Sequence, residues 1–203
     1  MRAGKVLEQF VFKLMTNGLP QTLKSTADLL PFRRALLAWY HKHHRPLPWR
    51  QTHDPYAIWV SEIMLQQTQV TTVIEYYERF LGRFPTVRSL ADAPEQELLT
   101  LGAGLGYYGR ARQMHVAAKE IVQQQGDVFP ATFNEVRALP GVGRYTAGAI
   151  VSFAYGHRAP ILEANTLRLY SRLIGLREDP KSASSQQLLW RFADHLLPKT
   201  GAN

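Results

Sequence analysis

The chain has 203 residues, of which 45% are hydrophobic and 20% charged, enough to bury a real core in one large or two small domains. It contains no cysteine, which excludes disulfides, thiolate metal sites and cysteine nucleophiles. The formal net charge is +8, and residues 1–50 hold nine Lys or Arg against two Asp or Glu. This excess indicates either a polyanionic partner such as nucleic acid or a plain solvated basic surface.

Residues 1–28 are expected to form a loosely packed N-terminal extension. Glu8 and Lys13 interrupt its apolar residues, which makes it a poor secretory signal. No apolar run approaches the ~18 residues of a membrane span, so neither a transmembrane helix nor a membrane partner is expected. The absence of cysteine leaves the redox compartment open, with an intracellular chain as the simpler expectation. Residues 29–44 then predict a helix with large apolar residues on or near one face.

Three prolines predict a loop over residues 45–56, and the remaining elements are helical. Asp54 and Pro55 provide an N-cap and a proline for the first helical position. The helix that they begin extends to about Phe80, with or without a break. Gly/Pro turns separate the further helical stretches, at 89–102, 104–126, 130–156, 165–175 and 184–196. Strand-like alternation is scarce, so the sequence predicts an all-α protein.

The string "LPGVGRYTAGA" (139–149) predicts two helices joined by a tight turn. Pro140 ends the first helix, and Gly141 and Gly143 permit backbone angles that other residues resist. The second helix begins directly afterwards, and its N-terminus favours an anion. With Arg144 beside it, the natural anion is a DNA phosphate. The alternative is an ordinary helical hairpin in which the glycines serve packing.

With this motif and four further strings, the chain resembles the helix-hairpin-helix DNA glycosylase superfamily, in particular its adenine DNA glycosylase (MutY) branch. The further strings are "LPWR" (47–50), "PYAIWVSEIMLQQTQV" (55–70), "YYERFLGRFPTV" (76–87) and "GLGYYGRAR" (104–112). The resemblance implies a six-helix barrel domain over 50–158 and a partial second helical domain from 29–49 and 159–203. It also implies an intracellular monomer that repairs double-stranded DNA by excising adenine mispaired with 8-oxoguanine or guanine.

Tyr145 distinguishes this chain from the sister branch, endonuclease III. That branch has a lysine at this position, whose amine forms a Schiff base with the sugar. A tyrosine cannot do so, so the resemblance implies a monofunctional glycosylase. An endonuclease III-like glycosylase-lyase stays an alternative. In some members of the family this tyrosine lies against the sugar; otherwise it is a partly buried hairpin aromatic.

Removal of adenine needs a proton donor for the base and a negative charge for the cationic sugar. Glu62 shares a helical face with Ile58 and Leu65, so burial would raise the pKa of its carboxyl group and favour the protonated form. It lies in "SEIMLQQTQV", where the family keeps its catalytic acid. By helical spacing alone, an exposed glutamate is the alternative.

Glu163 occupies the position of the family's second carboxylate, which stabilises the cationic sugar. The family has Asp-Gly-Asn there and this chain has Glu-Ala-Asn. The longer side chain puts the distance to the sugar in question, since a misplacement of about 1 Å can cost roughly 100-fold in rate. Asn165 matches the asparagine that supports this carboxylate. The alternative for Glu163 is a helix N-cap or first-turn acid.

The resemblance assigns DNA contacts to four more residues. Gln67 matches a glutamine that wedges into the duplex, and Tyr107 an aromatic that intercalates beside 8-oxoguanine. Trp49 and Arg50 match residues that line the adenine pocket and its approach. For a single Trp or Tyr, core packing is the alternative.

The chain also departs from the family pattern. The family commonly carries a 4Fe–4S cluster on four cysteines and a C-terminal domain that recognises 8-oxoguanine, but here the cysteines are absent and the sequence stops before either segment. We therefore expect no cofactor in this chain, which would be the front part of a longer enzyme or a truncated product with an exposed apolar patch. A catalytically impaired DNA-binding remnant is the alternative to an active enzyme.

Overall fold

The computed structural model describes residues 26–102 and 108–199, and over these ranges every regular element is a helix. A single 3-10 turn, Pro48–Arg50, precedes the second α-helix. The α-helices, numbered in chain order, are α1 Thr26–His43, α2 Pro55–Met64, α3 Val70–Arg83, α4 Val87–Ala91, α5 Glu95–Leu101, α6 Tyr108–Gln125, α7 Phe133–Ala138, α8 Arg144–Tyr155, α9 Ala164–Leu173 and α10 Ala183–Leu196. The all-α prediction is confirmed for the described residues. Residues 1–25 of the predicted extension lie outside them.

The chain divides into two compact units, and the larger one, Pro46–Ala159, is built around α2. The predicted start of α2 is confirmed, because the Asp54 side chain accepts a hydrogen bond of 3.0 Å from the Tyr56 amide and Pro55 follows it. Every residue from Tyr56 to Met64 is buried. Helix α8 packs along α2, and α3 and the 3-10 turn also contact it. This unit therefore encloses α2 as its central helix.

Two predicted helices of this unit are interrupted. The 55–80 stretch breaks at 65–69, between α2 and α3. The 89–102 stretch forms two shorter helices instead of one. Thr86 and Ser89 close a capping box at the start of α4, and Pro94 is the N-cap of α5. A proline has no amide hydrogen and disfavours helical angles in the residue before it, so one continuous helix cannot form there.

The second described unit consists of residues 26–45 and Pro160–Lys199, which contain α1, α9 and α10. Its core is small, and its buried residues are Leu29, Phe32, Leu173 and Phe192. Other large apolar side chains of these helices are exposed, namely Leu30, Leu36, Leu37, Trp39, Tyr40, Leu169 and Leu188. None of the described helices combines the length and apolarity that a membrane crossing requires.

Candidate active site

Glu62 lies in the third turn of α2 with a side chain only 2% exposed. Among the described residues it is the one Asp, Glu, Lys or Arg that is buried. Every residue from Tyr56 to Met64 is buried, so the enclosure of α2 by its neighbours, and not one apolar face alone, accounts for this burial. A charged carboxylate is poorly solvated in such a place, and burial by itself favours the protonated form of a carboxyl group.

Arg50 is the cation that stands beside Glu62. Its Nη1 lies 4.0 Å from Glu62 Oε1, at the outer limit of an ion pair, and its side chain is 27% exposed. The guanidinium carbon lies over the ring of Phe153, 4.0 Å from the centroid. The preceding residue, Trp49, is 1% exposed and meets Tyr77 edge-on at 5.4 Å. Trp49 thus belongs to the core in this structure, and its role in an adenine pocket stays a prediction.

The predicted hairpin is formed by α7, α8 and the turn between them. Gly141 has a φ of +76°, a left-handed angle that favours glycine, and Gly143 is the N-cap of α8. A methyl group on Gly141 would lie 2.8 Å from Gln113 Oε1, whereas one on Gly143 would meet nothing within 4 Å. Gly143 and Arg144 are exposed and Tyr145 is partly buried. The helix N-terminus with Arg144 is thus accessible to an anion.

The break between α2 and α3 presents Gln67. Its φ is +62°, which is uncommon for a residue other than glycine, and the residue is exposed. Arg110 of α6 donates hydrogen bonds to the carbonyl groups of Ile63 and Gln66, so it supports the end of α2 and the start of this loop. Sequence reasoning did not single out Arg110, although it lies within the quoted string "GLGYYGRAR". Tyr107 lies outside the described residues.

Glu163 is the N-cap of α9 in the smaller unit. Its Oε1 accepts hydrogen bonds from the amides of Asn165 at 2.8 Å and Thr166 at 2.9 Å. Asn165 Nδ2 lies 3.4 Å from Glu163 Oε2, and its Oδ1 accepts a bond of 2.9 Å from Arg168. Asn165 therefore contacts the carboxylate that it was expected to support. Burial, and secondarily the charge of Glu163, raises the pKa of Tyr170.

The HhH-GPD superfamily of base excision DNA repair proteins matches residues 60–195. The chain belongs to this family. It is 42% identical over 183 residues to the human adenine DNA glycosylase, covering 86% of this chain and 34% of that protein. It is 42% identical over 170 residues to the Buchnera aphidicola (strain Bp) adenine DNA glycosylase, covering 83% of this chain and 48% of that protein. The resemblance to the adenine glycosylase branch is confirmed, and the chain spans a third to a half of these relatives' length.

Solved structures are similar to this HhH-GPD chain in fold. A thermostable thymine-DNA glycosylase superposes with a TM-score of 0.72 at 23% identity, over 100% of this chain and 83% of that one. An endonuclease III in a non-covalent DNA complex superposes with a TM-score of 0.65 at 20% identity, over 83% of each chain. At these identities the likeness establishes the fold, which is the predicted helix-hairpin-helix glycosylase fold.

An iron–sulfur cluster does not fit the donors of this HhH-GPD chain. Such clusters are held by cysteine thiolates, and the sequence contains none. Within the described ranges, no group of three or more His, Asp or Glu side chains could hold a metal ion either.

Proposed function

We propose that this chain is a monofunctional adenine DNA glycosylase, which hydrolyses the N-glycosidic bond of adenine opposite 8-oxoguanine or guanine in double-stranded DNA. The observation that carries the proposal is Glu62, a buried glutamate beside Arg50 in the central helix of an HhH-GPD protein. The relatives named adenine DNA glycosylases, at 42% identity, support the choice of adenine. An intracellular monomer without a cofactor is part of the same proposal.

In the proposed reaction, the Glu62 carboxyl group gives its proton to a ring nitrogen of adenine. The bond between the sugar C1′ and the base then breaks, and its electron pair leaves with the base. The negative charge of Glu163, supported by Asn165, stabilises the cationic sugar. Water adds to C1′ and releases a proton to the Glu62 carboxylate. Tyr145 offers no amine for a Schiff base, so the product keeps its abasic sugar in the strand.

The base must leave the helical stack before this chemistry can occur. The hairpin at Gly141, Gly143 and Arg144 would hold a backbone phosphate, as its exposed helix N-terminus favours. Gln67, exposed on its left-handed backbone, would fill the space of the extruded base. In this proposal, Tyr107 intercalates beside 8-oxoguanine, and Trp49 and Arg50 line the adenine pocket.

The experiment is single-turnover cleavage of a duplex with one A:8-oxoguanine pair, with enzyme in excess. Glu62→Gln keeps the size of the side chain but cannot donate the same proton, and we expect the rate to fall by roughly 10²- to 10⁴-fold. Glu75→Gln, the same change at an exposed position of α3, is the control and should leave the rate unchanged. Equal rates in both variants would remove Glu62 from the mechanism.

A second candidate function, duplex binding without catalysis, is favoured by one observation. Oε1 of Glu163 is engaged as a helix cap, which is sufficient reason for a carboxylate at this position. This candidate predicts salt-dependent DNA binding and no abasic product.

The variant Glu163→Asp tests whether the carboxylate lies at the right distance from the sugar. A faster enzyme would mean that the extra methylene lowers the rate, and an unchanged rate would mean that the site accommodates it. A wild-type chain that binds but never cleaves would favour the second candidate.

A further inference from the structure

The ring of Phe153 is the surface on which the Arg50 guanidinium rests. The guanidinium carbon stands 4.0 Å from the ring centroid, well within the range of a cation–π contact. A guanidinium is flat and weakly hydrated, so it stacks on an aromatic face more readily than an ammonium does. The contact thus fixes a long side chain that would otherwise be mobile.

Phe153 is itself held in place. It lies in the last turn of α8 and packs, partly buried, against the core of the larger unit. His53 Nδ1 donates a hydrogen bond of 3.0 Å to the Phe153 carbonyl oxygen. His53 belongs to the loop that follows the 3-10 turn carrying Arg50. Side chain and backbone therefore tie the Arg50 segment to the same end of α8.

The position of Arg50 affects what Glu62 can do. At 4.0 Å the guanidinium is near Glu62 without a close hydrogen bond to it. A guanidinium free to approach to about 2.8 Å would stabilise the charged carboxylate, the form that cannot donate a proton. The same guanidinium also lies over the ring of Phe153, which is therefore placed to influence its distance from Glu62.

We propose that Phe153 is a positioning residue for the glycosylase reaction. Its ring holds the Arg50 guanidinium beside Glu62, but too far away to stabilise the charged form of the Glu62 carboxylate. The role of Glu62 as proton donor rests on the proposed function. Phe153 touches neither the base nor the sugar in this scheme and acts through Arg50 alone. The contact between Phe153 and Arg50, however, can be measured without any reaction.

The test compares Phe153→Leu, which removes the ring, with Phe153→Tyr, which keeps it, on the A:8-oxoguanine duplex. We expect the single-turnover rate to fall about tenfold in Phe153→Leu and to return to within about twofold in Phe153→Tyr. The duplex Kd should stay within about twofold in both, because the residue acts on the chemical step. Phe133→Leu, the same change at a partly buried phenylalanine of α7 on the same core, is the control for general loosening.

A second readout does not depend on activity. In protein with ¹⁵N- and ¹³C-labelled arginine, the ring current should shift the Arg50 side-chain resonances upfield, and Phe153→Leu should abolish the shift. The inference is overturned by an unshifted Arg50 signal, or by equal cleavage rates in Phe153→Leu, Phe133→Leu and wild type. No cleavage by the wild type would instead refute the proposed function, while the arginine signal would still decide whether Phe153 holds Arg50.

Discussion

The two glycines of the hairpin turn differ in what an added methyl group would meet, and this difference gives a sharp prediction. Gly141 has a φ of +76°, and a Cβ added to it would lie 2.8 Å from Gln113 Oε1 and 3.0 Å from Gln113 Cβ. Gly143 has a φ of −84°, which any residue adopts, and an open side-chain position. Gly141→Ala should therefore affect stability, and Gly143→Ala should affect DNA binding.

The magnitudes follow from the backbone angle and the contact. Alanine in the left-handed region costs about 1–2 kcal/mol, and the displacement of the Gln113 side chain adds to this. A loss of about 2 kcal/mol corresponds to a fall in Tm of roughly 4–8 °C for a chain of this size. Gly143→Ala should lower Tm by only about 2–4 °C, since alanine is a poorer N-cap than glycine by about 1 kcal/mol but meets no clash. Its methyl group would instead occupy the site proposed for a phosphate, lowering duplex affinity by about fivefold.

Two measurements check this pair of variants. Thermal unfolding followed by circular dichroism at 222 nm gives the Tm of each, and fluorescence anisotropy with a labelled duplex at low salt gives the affinity. Equal losses of Tm in Gly141→Ala and Gly143→Ala would refute the steric reasoning. Wild-type affinity in Gly143→Ala would refute the phosphate contact at this turn.

Three further predictions concern stability. The Arg33 guanidinium donates hydrogen bonds to the carbonyls of His195, Leu196 and Leu197 at the end of α10. In urea unfolding, Arg33→Met should lower the free energy of unfolding by about 2–3 kcal/mol. Arg34→Met, the same change at an exposed position, should leave it almost unchanged. His115 is buried, and its Nε2 has no hydrogen-bond partner in the described part of the chain; His115→Leu should raise the free energy of unfolding by about 1 kcal/mol, and a decrease would contradict this. Burial, and secondarily the charge of Asp54, raises the pKa of Tyr77 from 10.0 to about 12. As the pH rises, the unfolded chain loses this proton before the folded chain does, so the free energy of unfolding should fall between about pH 10 and pH 12. This fall should be smaller in Tyr77→Phe, which has no hydroxyl group to titrate.

Local chemistry made part of the site predictable. Two adjacent residues, Asp54 and Pro55, are enough to predict the start of α2, and the helix begins there in the structure. The burial of Glu62 instead follows from the enclosure of α2 on all sides, since every residue from Tyr56 to Met64 is buried, whereas helical spacing alone left an exposed glutamate as the alternative. The start of α2 depends on contacts within one helical turn, which the sequence displays directly, whereas the burial of Glu62 depends on the elements that pack around α2.

Other features depend on residues far apart in the chain. The left-handed backbone of Gln67 lies in a loop that Arg110 supports from 44 residues further along the chain. The string "LPWR" predicts a DNA contact for Trp49, yet in the structure Trp49 is buried in the core and meets Tyr77 edge-on. This contact joins residues that are distant in the chain. Glu163 illustrates a third case, because a carboxylate at a helix start can serve as a cap and as a counter-charge. Composition and spacing do not distinguish these uses.

Helix α8 joins the hairpin turn at its first residue, Arg144, to Phe153 in its last turn. The rise between these two residues is about 14 Å at ~1.5 Å per residue. An inserted residue between them would rotate the Phe153 ring by about 100° around the helix axis relative to the turn, with the helix itself intact. Residues Thr146 to Val151 between them are all buried, so both the packing and the length of this part of α8 are constrained. Under the proposed function, the number of residues between the turn and the ring sets where the Arg50 guanidinium is held relative to a DNA backbone at the turn.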